Sequence, residues 1–373
     1  MQKNSIALMV MGICLIFFIL GCEQEPTQPS PSPGLDSAKD IPRPAGKSET
    51  GAALRFYNWE DYTGEHTIEK FTEFTGIGVH LETFDDDEVV LGALQSGAIK
   101  VDLIVVSESM AREMHKAKLI QAVDYAVIAN SKHIKPEYIP EADNSGNRFW
   151  VPYLWGYTGM AVNTKYIKDT YHSWSLLWDP KYENKLAMLN NTFETSAAAA
   201  KKLGYQVNPT LEQLEEVEAE LLAQKELLVG YLSVGEIMDG LRDESIWAAQ
   251  IYNGDGMVLA DENEDIEFVN VREGMALWID VFVIPRDAPH PELAHAFIDF
   301  LHTPKILADI AAEFWYASTN ETAEQYMPAE VLQAEEVYPS EKILEKSEFF
   351  GDMGSPESVR KRLQIWSMLM RKQ

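Results

Sequence analysis

Strand-like and helix-like segments alternate along the chain from Leu54 onward, and this alternation most constrains the fold. The segment LRFYNW reads as a strand, GVHLETF as a second and DLIVV as a third. Between them, Ile68, Phe71 and Phe74 lie at helical spacing before Gly76, and VVLGALQSG predicts another helix. This order indicates βαβ units and a mostly parallel sheet, the α/β class.

Two later segments predict crossings between two lobes. FWVPYLWGYTGMAVN, around Pro152, is rich in aromatics and glycine, and WIDVFVIPRD is followed by a proline-bracketed helix. Between them, Thr210 and Gln213 form a predicted capping box at the start of a helix. The resulting division places 53–154 and 282–317 in lobe 1, and 155–281 and 318–373 in lobe 2.

The N-terminus is typical of an exported lipoprotein. Lys3 precedes a continuous apolar run that ends at Cys22, and residues 1–21 are interpreted as a signal peptide. A permanent membrane anchor would usually need about 20 apolar residues, which makes it the weaker interpretation. Cleavage would remove Cys14 and leave Cys22 as the lipidated first residue, so no disulfide is expected within the mature chain.

Residues 22–52 are predicted to form a tether. Six of the chain's 18 prolines lie there, among Ser, Gln and Gly. Such a composition cannot bury enough apolar surface to fold by itself. The expected arrangement is a two-lobed body on an extended leash at a membrane surface, in the periplasm or at the cell surface.

The charge of the chain restricts its partners. The formal net charge is −28 and the pI is about 4.6. So acidic a surface argues against nucleic acid and anionic membrane surfaces, which need basic patches. It is compatible with a cationic ligand, but also with acidity that serves only solubility.

Signatures of catalysis are largely missing from the sequence. There is no G-x-S-x-G elbow, P-loop or H-E-x-x-H motif, and we expect neither an enzyme nor a metal or cofactor. His295 and His302 could share a helix face, but nothing adds further ligands at metal spacing. The acidic run Asp85 to Glu88 lacks the spacing of a calcium loop, and we interpret it as capping a helix through Asp85 and Glu88.

Aromatic and acidic residues recur together at predicted strand ends and turns. Alone, each pair has a common structural explanation, but four such clusters on both predicted lobes favour a shared site. Three of the clusters are Trp59-Glu60-Asp61-Tyr62, Tyr252 with Asp255, and Trp278 with Asp280. The fourth group is made of Glu194 and Tyr316, which are far apart in the sequence.

At these residues the sequence resembles the bacterial polyamine-binding proteins, the spermidine- and putrescine-binding components of ABC importers. The likeness extends from about Leu54 to about Leu369 and includes, in order, FYNWEDY, FTEFTGIGV, VDLIVVSES, VPYLWGYTGMAVN, WSLLWDPKYENKLAML, AAKKLGY, IYNGD and WIDVFVIP. The resemblance implies a two-lobed substrate-binding fold of the type II, Venus-flytrap class, with mixed, mostly parallel sheets and two crossovers. Its cleft would close on an extended polyammonium ligand.

The resemblance also implies a set of ligand-binding residues. Acids would bind the ammonium groups, aromatics would form the walls, and a serine and tyrosines would donate or accept hydrogen bonds. Carried over by position, the set is Trp59, Asp61, Tyr62, Ser107, Glu194, Tyr252, Asp255, Trp278, Asp280 and Tyr316.

Three positions depart from the spermidine-type pattern. Asn191 stands where those relatives have an aspartate, Ser109 where they have a tyrosine, and Phe350 where they have a glutamine. Putrescine, another short amine or an altered selectivity therefore stays open. The expected partner is an ABC permease or, alternatively, a sensory receptor, and the protein is expected to be a monomer. A sugar-binding protein or glycosidase is the third interpretation, since tryptophan beside paired carboxylates also suits sugars.

Overall fold

The computed structural model describes residues 51–60, 62–168 and 172–371. The predicted signal peptide at 1–21, the lipidation site Cys22 and the tether up to residue 50 lie outside the described residues, and so does Asp61. Across the described ranges, no helix has both the length and the apolar character needed to cross a bilayer.

The described residues form one mixed sheet of eleven strands. The strands are β1 (Leu54–Trp59), β2 (Val79–Phe84), β3 (Leu103–Ser107), β4 (Trp150–Asn163), β5 (Leu186–Leu189), β6 (Leu228–Leu232), β7 (Ala248–Tyr252), β8 (Ile266–Val269), β9 (Ala276–Val283), β10 (Ala317–Ser318) and β11 (Glu348–Phe349).

Helices connect these strands and cover the sheet. They are α1 (Thr67–Thr75), α2 (Asp87–Ser96), α3 (Glu108–Lys116), α4 (Thr192–Lys202), α5 (Gln213–Lys225), α6 (Val234–Arg242), α7 (Asn253–Glu262), α8 (Pro291–Leu301), α9 (Pro304–Glu313), α10 (Ala329–Gln333), α11 (Glu341–Leu344) and α12 (Pro356–Leu369).

Parallel strands occupy the two ends of the sheet, and antiparallel strands join them. The main strand order is β2-β1-β3-β9-β4-β7-β5-β6. At one end β1 pairs in parallel with β2 and β3, and at the other β5 pairs in parallel with β6 and β7. Strands β4 and β9 run antiparallel to each other in the middle and extend along both halves. This is the predicted α/β, two-lobed fold with two crossovers.

Strand β4 is the longest strand, and every one of its fourteen residues is buried. Its register with β9 shifts between Pro152 and Trp155. Pro152 lacks a backbone N–H and cannot donate to a ladder, so an irregularity beside it is the expected cost of placing proline in a central strand.

The lobe boundaries given by the sequence stay a prediction. Local contacts bear on the boundary placed between residues 317 and 318. The Lys135 amide donates to the carbonyl of Thr319, and the Glu321 amide donates to the carbonyl of His133. Residues 319–321 thus contact the segment that follows α3. These bonds favour moving the boundary at 318 several residues toward the C-terminus.

Two predicted helix starts can be compared with the structure. The capping box is confirmed, because the Thr210 amide donates to Gln213 Oε1 at 2.9 Å and the Gln213 amide donates to Thr210 Oγ1 at 3.3 Å. The cap of α2 was assigned to the wrong residue. Asp86, not Asp85 or Glu88, adopts the extended cap conformation and accepts from the Glu88 amide at 2.8 Å.

Candidate ligand-binding site

The carboxyl ends of parallel strands from both halves of the sheet carry the site. In the first half, β1 ends at Trp59 and β3 at Ser107; in the second, β7 ends at Tyr252. Strand β9 lies between the halves and places Asp280 opposite Ser107 in the antiparallel register. Ligands in open α/β sheets bind at such strand ends, where the chain leaves the sheet and side chains converge.

Four aromatic residues from separate elements form a continuous cluster. The Tyr62 ring lies 5.8 Å from that of Tyr316, the Tyr316 ring 5.0 Å from Trp278, and the Trp278 ring 5.9 Å from Tyr252, all edge to face. Edge-to-face packing fixes ring orientation and contributes beyond area burial alone. The structure therefore brings together four of the predicted ligand-binding residues.

Two glycines allow the close approach of these rings. A Cβ on Gly156 would lie 2.6 Å from the Trp278 ring, and a Cβ on Gly254 would lie 2.6 Å from the Tyr316 ring. Neither distance is tolerable for carbon atoms. The segments VPYLWGYTGM and IYNGD thus owe part of their pattern to the packing of the wall.

Asn253 holds the second half of the site to the chain around residue 315. Its Oδ1 accepts from the Tyr157 amide at 3.0 Å, while its Nδ2 donates to the carbonyls of Trp315 at 3.1 Å and Glu336 at 2.9 Å. All three of its bonds go to backbone groups. This single buried amide fixes the start of α7 next to the segment that carries Tyr316, just before β10.

Asp255 and Tyr316 form the one direct hydrogen bond between predicted ligand-binding residues in the described part of the chain. The Tyr316 hydroxyl donates to Asp255 Oδ2 at 3.0 Å. Burial raises the pKa of Asp255 to about 6, although the Tyr316 hydroxyl acts in the opposite direction. Asp255 therefore carries a negative charge at neutral pH in a poorly solvated position.

Asp280 is 8% exposed and lies on the same strand face as Trp278. Burial raises its pKa to about 7; the nearby Tyr62 hydroxyl lowers it and the charge of Asp87 raises it. The Tyr62 hydroxyl is near this carboxylate, but it makes no hydrogen bond of normal geometry with any described group. Both groups retain bonding capacity for a ligand.

Glu194 lies in the first turn of α4 and is 5% exposed. Asn191 caps this helix, its Oδ1 accepting from the amides of Phe193 and Glu194, both at 3.0 Å. Burial raises the pKa of Glu194 to about 8, while Thr158 lowers it. Its Oε2 has no hydrogen-bond partner among the described residues. The nearby Thr158 Oγ1 is likewise buried without a hydrogen-bond partner there.

Asp87 is a fourth buried acid, and sequence reasoning missed it. The Ser107 hydroxyl donates to Asp87 Oδ2 at 2.8 Å and also accepts from the Met110 amide at 3.2 Å, capping α3. Burial raises the pKa of Asp87 to about 6, with the Ser107 hydroxyl lowering it. The sequence interpretation placed this run at a helix start, where Asp87 does lie, but it did not predict the burial of Asp87. Its position just after strand β2 was the available signal.

All four acids raise the pKa of the same hydroxyl, that of Tyr252. Burial raises the pKa of Tyr252 well above its usual value, and the negative charges that add to this effect are, in decreasing order, Glu194, Asp87, Asp255 and Asp280. None of the four forms an ion pair with a Lys, Arg or His of the described chain. Buried charges are normally paired, because desolvation without compensation is costly. The site is complementary to an added cation.

The remaining predicted residues are placed less centrally or not at all. Trp59 packs on Phe84 at 4.5 Å, and its indole N–H has no described partner. Asp61 is outside the described residues. No three His, Cys, Asp or Glu side chains of the described chain are grouped closely enough to hold a metal ion.

Of the three positions that depart from the spermidine-type pattern, two are buried and the third caps a helix. Asn191 is occupied by capping α4, and Ser109 is buried in α3. Phe350 is buried in an apolar cluster with Ala197 and Val207, against which Trp278 packs. Phe350 therefore supports the wall tryptophan from behind and adds no hydrogen-bonding group.

Comparison with known proteins identifies the family. Residues 66–339 match the family described as bacterial extracellular solute-binding protein, and the chain belongs to it. The spermidine/putrescine-binding periplasmic protein of Salmonella typhimurium is 29% identical over 321 residues, covering 84% of this chain and 91% of its own. The putrescine-binding periplasmic protein SpuD of Pseudomonas aeruginosa is 28% identical over 337 residues, covering 85% and 91%.

The similarity extends to three dimensions. A solved structure from Listeria monocytogenes, provisionally assigned as a spermidine/putrescine ABC transporter, superposes with a TM-score of 0.79 at 27% identity. The match covers 85% of this chain and 98% of that one. The predicted family and fold class are thereby confirmed.

The raised carboxylate pKa values predict that the unliganded protein loses stability as pH rises. Asp87, Asp255, Asp280 and Glu194 have folded-state pKa values of about 6, 6, 7 and 8, above their ordinary values of 3.8 and 4.5. The folded state then binds more protons than the unfolded state between about pH 4 and pH 8, so the free energy of unfolding falls across that window. Thermal unfolding at a series of pH values measures it.

A pair of variants assigns this effect to the site. Glu194→Gln should raise the unfolding midpoint at pH 8 and leave it unchanged at pH 5, where Glu194 is already protonated. Glu60→Gln, which removes an exposed carboxylate, is the matched control and should do neither. A midpoint for Glu194→Gln that falls at pH 8 would contradict the electrostatic explanation.

Proposed function

We propose that this protein captures a polyamine, putrescine- or spermidine-like, between its two lobes and delivers it to an ABC importer. The observation that carries the proposal is the convergence of three buried carboxylates and the half-buried Asp255, without cationic partners in the described chain, on a cluster of aromatic rings. Relatives named as spermidine/putrescine- and putrescine-binding periplasmic proteins support the same ligand class.

The chemistry of a polyamine matches these groups. Its ammonium ends carry only donors, so each needs acceptors, and a charge-assisted hydrogen bond to a carboxylate contributes about 1.5–3 kcal/mol. Aromatic faces attract the cation by about 0.5–2 kcal/mol and pack against the methylene chain. Asp280, with Tyr62 and Trp278 beside it, offers all of these contacts to one ammonium. Asp255 and Glu194 are available for another.

Acids from both halves of the sheet imply a closing motion. Asp87 follows strand β2 in the first half, whereas Glu194 and Asp255 begin helices in the second. A ligand that binds both sets favours the closed arrangement by its differential affinity for it. Without the ligand, like charges brought together without compensation favour the open arrangement.

The closed form would be the signal read by a membrane partner. In the transport proposal the partner is an ABC permease, and the binding protein acts as a monomer without a cofactor or catalytic step. The alternative is a polyamine sensor that reports to a membrane receptor through the same site. Uptake of radiolabelled putrescine by cells lacking the gene separates the two: transport requires loss of uptake, and sensing leaves it intact.

A sugar-binding protein or glycosidase is less well supported. Neutral sugars leave buried carboxylates uncompensated, and the four raised pKa values show how costly that would be here. Calorimetry of the full chain in detergent with putrescine, spermidine, cadaverine and a neutral disaccharide tests the ligand class. Heat with the disaccharide alone would remove the polyamine proposal.

Asp280→Asn should weaken amine binding at least about tenfold, the equivalent of about 1.4 kcal/mol, because an amide cannot neutralise an ammonium. Calorimetry with putrescine and spermidine measures this loss. Glu141→Gln, which removes an exposed acid outside the site, is the control and should change affinity less than about twofold, as expected for a solvated charge. Equal affinities for the Asp280 variant and the unmodified chain would place the site elsewhere.

Amine binding should release protons near neutral pH. A bound ammonium favours the ionised carboxylate, so it lowers the raised pKa values of Glu194 and Asp280 from about 8 and about 7. Calorimetry at pH 7 in buffers of different ionisation enthalpy should give an observed heat that depends on the buffer, with the sign of proton release. A heat independent of buffer, or proton uptake, would contradict this electrostatic account.

We further propose that the protein is anchored through a lipid on Cys22, outside the cytoplasmic membrane. The apolar run of the signal ends immediately before this cysteine, and the tether follows it. Cells expressing the protein should incorporate labelled palmitate into the unmodified chain and not into Cys22→Ser, which should appear in the soluble fraction. Equal labelling of both chains would exclude Cys22 as the anchor.

A further inference from the structure

We propose that Asp87 is a ligand-binding carboxylate that lies beside Asp280, receives an additional ammonium and so favours amines with three positive charges over diamines. The inference rests on the proposed function, because it concerns the same cleft. It adds a residue that the family resemblance did not supply and gives that residue a role in selectivity.

The local chain fixes Asp87 firmly. Strand β2 ends at Phe84, and Asp86 caps α2 by accepting from the Glu88 amide, so Asp87 is the first residue of the helix. The residues on either side of Asp86 differ in exposure: Asp85 is exposed, whereas Asp87 is 9% exposed. An acid at a helix start that served only the helix dipole would have no need to leave water.

Contacts place the Asp87 carboxylate beside the predicted ammonium site. Ser107 donates to Asp87 Oδ2 at 2.8 Å, and Ser107 is paired in register with Asp280 on the adjacent strand. The charge of Asp87 raises the pKa of Asp280. It also acts on Tyr252, which belongs to the opposite half of the sheet. The Asp87 carboxylate therefore lies near Asp280 and close enough to Tyr252 for its charge to act there.

The balance of charge gives Asp87 its proposed role. Asp87, Glu194, Asp255 and Asp280 are all buried or half-buried, and a diamine can compensate only two of them. Ser107 offers Asp87 a neutral hydroxyl, which solvates a carboxylate less well than a cation does. A third ammonium near Asp87 would compensate this acid, which Ser107 connects to Asp280 by donating to Asp87 and pairing in register with Asp280.

The closing experiment compares Asp87→Asn with Asp85→Asn in the full chain in detergent at pH 8, above the pKa values of Asp87 and Asp280. Both substitutions remove one negative charge and keep nearly the same shape. Calorimetry gives the affinity of each variant for putrescine and spermidine. Asp87→Asn should weaken spermidine binding about tenfold and putrescine binding less than about threefold. Asp85→Asn should change neither by more than about twofold, because its charge is solvated.

Thermal unfolding without ligand separates binding from a structural role. The buried Asp87 carboxylate has a pKa of about 6 in the folded state, so it is ionised at a cost at pH 8, and Asp87→Asn should leave the unfolding midpoint equal or higher. A helix-capping role predicts a lower midpoint with unchanged selectivity, and that result would overturn the inference.

The remaining outcomes also discriminate. Equal weakening of both amines by Asp87→Asn would show that Asp87 acts on charge in general and not on the third ammonium. Unchanged affinities would show that it does not bind ligand, while the proposed function would stand. If the unmodified chain bound neither amine, the proposed function would fail and this inference with it.

Discussion

Burial of negative charge without a cationic partner is the constraint on which the site depends. Asp280 and Glu194 are more than nine-tenths buried, and neither has an ion pair within the described chain. A folded protein retains such groups at a cost, since a hydrophobic residue of similar size would be more stable there. Under the proposed function, a cationic ligand would recover this cost on entering the site. The same buried carboxylates would therefore lower the stability of the empty protein and raise its affinity for a cationic ligand.

The rest of the structure can be understood as support for that arrangement. Parallel strands in each half bring their carboxyl ends to the same edge, and the antiparallel pair β4 and β9 brings the two edges together. Gly156 and Gly254 leave space for rings, and Asn253 fixes three backbone segments around Tyr316. None of these three residues is itself acidic or aromatic. They act by holding charged and aromatic groups in a narrow space.

Much of the fold could be predicted from local pattern, because strand and helix periods are properties of short segments. The first three strands, the helix ending at Gly76 and the capping box at Thr210 and Gln213 were all readable in this way. The site was harder. Which strand ends meet depends on contacts between residues such as Ser107 and Asp280, about 170 positions apart, and the resemblance to a family supplied that information. Asp87 was missed because an acid at a helix start has an ordinary local explanation.

The crossover strands carry more than connectivity. Strand β9 presents Trp278 and Asp280 to the cleft, while its partner β4 shifts register beside Pro152. Any relative movement of the two halves has to bend this same antiparallel pair, since both strands extend along both halves. The same pair of strands, β4 and β9, therefore carries ligand-binding groups and also determines how easily the two halves move. Under the proposed function, a substitution in β4 or β9 that changed the preferred ligand would then also change how readily the two halves move.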